Sequence, residues 1–459
     1  MSTKSKEIVV VGAGPVGCVL ALYLAKRGYS IRVVERREDL RANPKAAGRS
    51  INLALSARGF KALDEIGAGE VVRKEAIAMK GRMIHDTDGT QHFIPYGKGD
   101  EAIYSVSRIG LNRTLLEVVG ETENVSLSFS KRCTGVDLNA PSASFYDEVS
   151  HEETTEYADV ILGTDGASSA VRKSMMNTRH FDYSQNWLSH GYKELHIPPL
   201  ADGAFAMEKH ALHIWPRGEY MLIALPNPDG SFTCTLFFPW EGEPSFSSLS
   251  TVEKARAFFN DVFADGLALM PTFDEDYQAN PTSSLVTIRC NPWQQQGKVG
   301  LLGDAAHAIV PFYGQGLNAG FQDCTVLNDI LEGSDDQWDT ALRTFSAVHQ
   351  ENGEAIADLA LHNFIEMRDL VNDERFNLQK DIERQIHAWY PDYLPLYSMV
   401  SFSQTPYAQA LAYGKAQDAL LATILDHPAM KEGWDTPEMH SIIREKVEAF
   451  LAERKHPAA

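Results

Sequence analysis

The sequence predicts an α/β fold in which a largely parallel sheet is interrupted by an antiparallel one and followed by a helical region. Three observations carry this expectation: a glycine-rich turn between a β-branched run and an apolar helical run near the N-terminus, a central stretch of strand-like runs divided by Gly, Pro, Asn and Asp, and helical periodicity from Asp336 onward. With 459 residues the chain exceeds one compact core, so two or three interlocked domains are expected. Its 44% hydrophobic content excludes a disordered polymer. Acidic side chains outnumber basic ones by 62 to 42, the formal charge is −20 and no basic run offsets it, which argues against nucleic acid or an anionic membrane as partner.

Taken in order, residues 7–12 (EIVVVG) read as a buried-type strand, 15–28 as a helix ending at Gly28, and 30–36 (SIRVVER) as a second strand, together a βαβ unit. Residues 50–75, rich in Ala and Leu, read as helical, whereas 79–106 alternates around turns such as Asp88-Gly89 and reads as the first strands of another sheet. Helix returns at Arg108–Gly120, and ADVILGTDG at 158–166 is again strand-like. Four runs between 190 and 238 predict an antiparallel sheet inserted into the first domain, which resumes with VGLLGDAA at 299–306 and a helix over 314–331. The chain thus divides into a nucleotide-binding domain in three parts (1–75, 106–177 and 290–335), a substrate sheet in two (76–105 and 178–289) and a helical domain (336–459). Five scattered cysteines without a C-x-x-C pair fit a reducing cytosol. The apolar stretch 8–25 is broken by three glycines and Pro15, unlike a signal peptide, and no window has the length of a membrane span.

Gly12-Ala13-Gly14-Pro15-Val16-Gly17 is a G-x-G-x-x-G at a strand-to-helix junction, with Glu35 ending the next strand. Gly12 permits the tight turn, Gly14 lets backbone approach a pyrophosphate, Gly17 lets the helix pack on the strand, and the helix N-terminus faces the phosphates. Glu35 would accept from ribose hydroxyls, which favours FAD or NAD over NADP on a Rossmann-like domain. Leu302-Gly303-Asp304-Ala305-Ala306-His307 ends another strand, with Pro311, Gly314 and Gly316 opening a helix beyond it. Asp304 there can hold the ribityl chain of a flavin, and the helix N-terminus can face the ring's pyrimidine edge and stabilise its anionic reduced form. A third stretch, Asp165-Gly166-Ala167-Ser168-Ser169-Ala170-Val171-Arg172, also follows a strand, and by itself reads equally as a helix cap.

The ordered trio resembles the FAD-dependent aromatic hydroxylases with a single nucleotide-binding domain. Within them the chain is similar to the kynurenine 3-monooxygenase family, through GRSINLALSARG (48–59), KGRMIH (80–85), Pro95-Tyr96-Gly97, NRTLL (112–116), GYKEL (191–195), HALHIWPRG (210–218), MLIALPN (221–227), PFYGQGLNAGFQDC (311–324) and YSMVSFS (397–403). The resemblance implies a Rossmann-like FAD-binding domain, an inserted antiparallel substrate sheet and C-terminal helices. It implies hydroxylation of L-kynurenine at ring position 3 with O2 and with NADPH as a transient reductant, since no second G-x-G-x-x-G is present. Arg82 and Tyr397 would clamp the substrate carboxylate, with Tyr96 and Asn363 beside them. Ile103, Leu212, Met221, Ile223, Phe237, Pro311 and Phe312 would enclose the ring. To the cofactor set of Gly12, Ala13, Gly14, Pro15, Gly17, Glu35, Asp165, Gly303, Asp304, Gly314 and Gly316 it adds Arg36, Arg37, Ala54 and Arg108, and also Cys133, Leu317 and Asn318. A guanidinium suits a carboxylate, and a phenol adds one directed donor.

Taken without the resemblance, Arg82 reads as a surface cation, Tyr397 as a core aromatic and Asn363 as a helix-surface amide. The histidines lack metal-ligand spacing, and His307 carries no assigned role. No G-x-S-x-G elbow supports acyl chemistry, and the W-x-W-x-I-P signature of flavin-dependent halogenases is missing. Two alternatives stay open: a hydroxylase of another aromatic carboxylate, and a flavin-binding sensor without turnover. Eukaryotic relatives carry a C-terminal membrane anchor, whereas EKVEAFLAERKHPAA here is charged, so a soluble cytoplasmic protein is expected, with a homodimer among the open oligomeric states.

Overall fold

The structure, a computed structural model, describes residues 6–43, 51–97, 99–367 and 373–455. Positions 48–50 of the 48–59 block and the last four residues lie outside the described residues. A six-stranded sheet runs in the order 294–295, Val299–Leu301, Val160–Gly163, Glu7–Val11, Ser30–Val34 and Val125–Ser128. Its pairs are parallel apart from the edge hairpin 294–301. Ile8, Val9 and Val10 are fully buried on the central strand, as a strand covered on both faces requires. The helix Pro15–Lys26 packs over it, and Gly28 at φ 84° supplies the left-handed residue that turns the chain into the next strand.

A seven-stranded sheet stands beside it, in the order Thr282–Asn291, Asp182–Ile197, Phe232–Pro239, Met221–Pro226, Ala211–Pro216, Gly81–His85 and Gln91–Pro95. It is antiparallel as expected at every pair but one: Ala211–Pro216 runs parallel to Gly81–His85, setting Leu212 opposite Arg82. One face packs on a core containing Ile214, Met221, Phe237 and Phe312, and the other on Leu195, Ile197, Trp215 and Phe238. Helices Val252–Val262, Ala264–Leu267 and Phe273–Ala279 cover this second face; the sequence reading, which took 178–289 as sheet, passed over them.

One local reading is corrected. Residues 52–55, read as helical, form a strand, because Asn52–Leu55 pairs antiparallel with Ile103–Ser107, which in turn pairs with Ile77–Met79. This small sheet ties the expected nucleotide-binding and substrate parts together. Residues 131–157 form a separate three-stranded antiparallel sheet. From Trp338 the described chain is mainly helical, with Trp338–Ile365 packed on the sheet face that carries Met221 and Phe237.

Candidate active site

The first glycine motif touches both of the others, the second through Val16 and the third through Gly12. A Cβ added at Gly303 would lie 3.2 Å from Val16 Cγ2, and one at Gly320 would lie 2.6 Å from the same atom. Gly12, at φ 104°, sits so close to the third motif that a Cβ would be 2.7 Å from the Thr164 carbonyl oxygen and 3.0 Å from Asp165 Cα. At Gly17 a Cβ would stand 2.0 Å from the Gly12 carbonyl oxygen, which is the close helix–strand packing expected there.

Gly14 differs from both. Its φ of −68° suits any residue, and no protein atom lies within 4 Å of an added Cβ. Nothing in the protein's own packing demands glycine at this position, and the missing side chain leaves the backbone here open to close approach by a ligand. The helix Pro15–Lys26 and the helix Gly316–Gly333 both begin without a side-chain cap, leaving first-turn N–H groups for an acceptor. Glu35, half-buried, accepts from the amides of Ala13 (2.8 Å) and Arg37 (3.0 Å), so its carboxylate is aimed at the same turn. Arg36, Arg37 and Arg108 reach the surface and mark a cationic rim; partial burial of its guanidinium, and after it Arg36 and Arg108, pull Arg37 down against the opposing pull of Glu35. Asp304 is exposed although Gly303 and Ala305 are buried, so the carboxylate at this corner faces out of the fold. The residues present therefore fit a dinucleotide: uncapped amides for phosphates, carboxylates for hydroxyls, and space where Gly14 lacks a side chain.

Other members of the predicted cofactor set are engaged with the protein. Asp165 accepts from Ser169 Oγ (2.6 Å) and from the amides of Ala170 (2.7 Å) and Val171 (3.3 Å), the helix-cap role that its motif also allowed, and burial raises its carboxyl. Cys133 lies half-buried near it, its thiol pushed up to about 12 by burial and then by Asp165. Asn318 is fully buried and spends its side chain on Ser56 N (2.9 Å), Ala54 O (2.8 Å) and Gly314 O (2.9 Å), pinning the Asn52–Leu55 strand to the start of Gly316–Gly333. Gly314 is at φ 67°, and a Cβ there would press on Ala54 at 3.2 Å. Leu317 packs on the main core, and Pro15 begins its helix at the position proline favours.

The second constellation is aromatic. Arg82 lies half-buried with its guanidinium 5.4 Å from the Tyr96 ring centre and 5.2 Å from that of Tyr397. The two rings stack at 5.2 Å and 13°. Tyr313, which the sequence does not single out, also stacks on Tyr397, with ring centres 5.7 Å apart and planes 19° from parallel. Arg82 Nε and the Tyr96 hydroxyl are buried and make no hydrogen bond. Burial opposes charge on Arg82, yet the Tyr96 and Tyr397 phenols and the Glu366 carboxylate raise its pKa above the ordinary value. Glu366, also unforeseen, is held low against its burial by His362, Lys380 and Arg82. Burial raises the phenols of Tyr96, Tyr313 and Tyr397, so all three remain protonated donors at neutral pH.

Asn363, buried on Trp338–Ile365, donates to the Phe312 carbonyl at 2.7 Å. Phe312 packs on Phe237 at 4.8 Å and on Phe364 at 4.3 Å. Met221 and Phe237 share that core, with Leu212, Ile223 and Tyr397 at its margin. Ile103 belongs to an adjoining cluster with Tyr96, and Leu212 and Ile223 bridge the two. Pro311 opens the short turn that carries Phe312 and Tyr313. The Tyr397 helix is tied to the helix Ala57–Ile66: Arg58, 1% exposed, donates to Val400 O (3.0 Å) and Met399 O (3.2 Å).

This architecture, with one glycine-rich nucleotide cleft beside an aromatic box on an inserted sheet, defines an FAD-binding aromatic-hydroxylase class. A family profile described as an FAD binding domain matches residues 5–338. The chain is 46% identical to the kynurenine 3-monooxygenase of Flavobacterium psychrophilum over 96% of this chain and 98% of that one. It is 44% identical to that of Myxococcus xanthus over 99% and 98%. The chain belongs to the kynurenine 3-monooxygenase family. In fold it is similar to 2-methyl-3-hydroxypyridine-5-carboxylic acid oxygenase, with TM-score 0.64 and 19% identity over 84% of this chain and 98% of that one. Among the described residues no helix is long and apolar enough to cross a membrane.

Proposed function

We propose that the chain hydroxylates L-kynurenine at ring position 3, consuming O2 and NADPH and giving 3-hydroxy-L-kynurenine. The observation that carries this reading is Arg82, a charged guanidinium walled by Tyr96 and Tyr397 with its Nε lacking an acceptor. A carboxylate is the acceptor that a planar, partly desolvated fork of donors selects. Glu366 adds the opposite sign within electrostatic reach of Arg82, and an amino-acid zwitterion needs both. Bound FAD, reduced by NADPH, supplies the activation of dioxygen.

The chain's own residues bind, orient and keep water out. Arg82 and Tyr397 hold the carboxylate and Tyr96 donates beside them. Asn363 fixes the Phe312 carbonyl, and Leu212, Met221, Ile223, Phe237 and Phe312 wall the ring, with Ile103 and Pro311 at the margins. The protonated phenols make no general base, and none is required, because the arylamine already activates the carbon ortho to it. Orientation and desolvation are the main protein contributions. In the cleft, Gly12, Gly14, Gly17, Glu35, Asp304 and the first turn of Gly316–Gly333 hold FAD, with Arg36, Arg37 and Arg108 at the rim. Incubation of the purified protein with L-kynurenine, NADPH and air should yield one product heavier by a single oxygen and hydroxylated next to the arylamine. Turnover of a simple aromatic carboxylate but not of kynurenine would overturn the assignment of substrate.

A further inference from the structure

His307 follows the Gly303-Asp304 corner by one helical turn, yet its ring points away from solvent and into the protein. It is 5% exposed, packs on Trp293 with ring centres 4.8 Å apart, and its Nε2 lies 2.7 Å from Asp323 Oδ2. Asp323 is 1% exposed on the helix Gly316–Gly333. Its Oδ2 also accepts from the Gly303 amide at 2.7 Å, and its Oδ1 takes His349 Nε2 at 2.9 Å. His349 comes from Trp338–Ile365, and its Nδ1 faces the Asn352 amide nitrogen at 3.4 Å, which leaves Nε2 to donate to Asp323. One carboxylate therefore joins the corner, the helix whose uncapped end faces the cleft, and the helix that carries Asn363.

We propose that Asp323 is a positioning residue for FAD, fixing the Gly303 amide and, through His307, the orientation of the helix turn that presents Asp304. The corner needs such a tie. Gly303 sits at φ 59° and ψ −144°, a conformation that glycine alone adopts readily, so its direction is set by what its amide binds. Without Asp323 that buried N–H and two imidazole donors would lose their acceptor, and the exposed Asp304 carboxylate would lose its fixed base. Burial opposes the charges, but the two imidazoles hold Asp323 well below the usual carboxylate range, and Asp323 raises His307. The carboxylate's contribution is lost only as pH falls below about 3.8, and that of His307 only as pH rises beyond about 6.5 through its raised value. Asp323 therefore stays ionised, and able to accept from the Gly303 amide and both rings, across the neutral range.

This proposal rests on FAD binding and is independent of which aromatic substrate is hydroxylated. The test is FAD titration of apo-protein for wild type, Asp323→Asn, His307→Gln and His349→Gln, read by quenching of flavin fluorescence, beside the apo melting temperature and the substrate KM at saturating FAD. Loss of charge-assisted hydrogen bonds predicts an FAD Kd about tenfold or more weaker in Asp323→Asn, less in His307→Gln and least in His349→Gln. Substrate KM should stay within about twofold, because Arg82 is held elsewhere. A downfield imidazole N–H proton resonance should disappear in Asp323→Asn and His307→Gln. If the variants lose only apo melting temperature while FAD Kd stays within about twofold of wild type, the cluster is core packing and the proposal falls; should Asp323→Asn not fold, His307→Gln decides alone. Failure of the wild type to bind FAD would remove the premise as well.

Discussion

The proposed cofactor cleft and the proposed substrate box are built by opposite means. In the cleft the protein contributes backbone: Gly12, Gly14 and Gly17 act through the side chains they lack, and the uncapped helix starts act through N–H groups. In the box it contributes side chains, with Arg82, Tyr96, Tyr313 and Tyr397 stacked on one another and drawn from three separate stretches of chain. A backbone site tolerates no added atoms, whereas a side-chain site loses function by subtraction. The two should therefore break independently.

The largest expected effect is Gly14→Val. Since φ is −68° and no protein atom lies within 4 Å of the new Cβ, the apo-protein should melt as wild type does. FAD should nevertheless fail to bind, and the protein should purify without a flavin spectrum. An apo-protein equally destabilised would make Gly14 a folding requirement. Next, Arg82→Ala should raise the KM for L-kynurenine about tenfold to a hundredfold, the loss of one desolvated charge-assisted contact, with FAD Kd unchanged. Steady-state kinetics and flavin titration on one preparation separate the two.

Smaller effects sharpen the box. Glu366→Gln should weaken kynurenine about tenfold or less and leave an analogue without the α-amino group unaffected, which a competition assay reads directly. Tyr397→Phe should cost about fivefold, as a neutral hydrogen bond does. Smallest is a pH effect behind the same sheet. His213, 1% exposed between His85 and the Glu208 carbonyl, is pushed down to about 4 mainly by burial. The unfolded chain gains that proton near pH 6.5 and the folded ring refuses it until about 4, so the melting temperature should decline between those values. His213→Asn should flatten that decline.

Legibility follows the same division. Gly12 and Gly17 answer local packing demands, and the motif's spacing together with the flanking strand, the helix and Glu35 points to the cleft. Asp165 was readable only as one of two things, and the hydrogen bonds of its turn show the cap while leaving a ligand role to experiment. Asn52–Leu55 reads as helix because N-L-A-L has helical propensity, but pairing with Ile103–Ser107, some fifty residues away, decides its state. Tyr313 lay inside a quoted block beside Phe312, and Glu366 follows Asn363 by three residues on the same helical face; both were within reach of pattern reading. His307 was not, because its partner Asp323 lies on another helix and nothing local reveals which way the ring turns.

Substrate-coupled turnover is the central property expected of this chain. NADPH oxidation and oxygen consumption should be followed with L-kynurenine, with a non-hydroxylatable analogue carrying the same carboxylate and ring, and with neither. We expect fast oxidation with both ligands, one hydroxylated product per NADPH with kynurenine, hydrogen peroxide with the analogue, and slow oxidation alone. Equal rates in all three, with no 3-hydroxykynurenine, would contradict it.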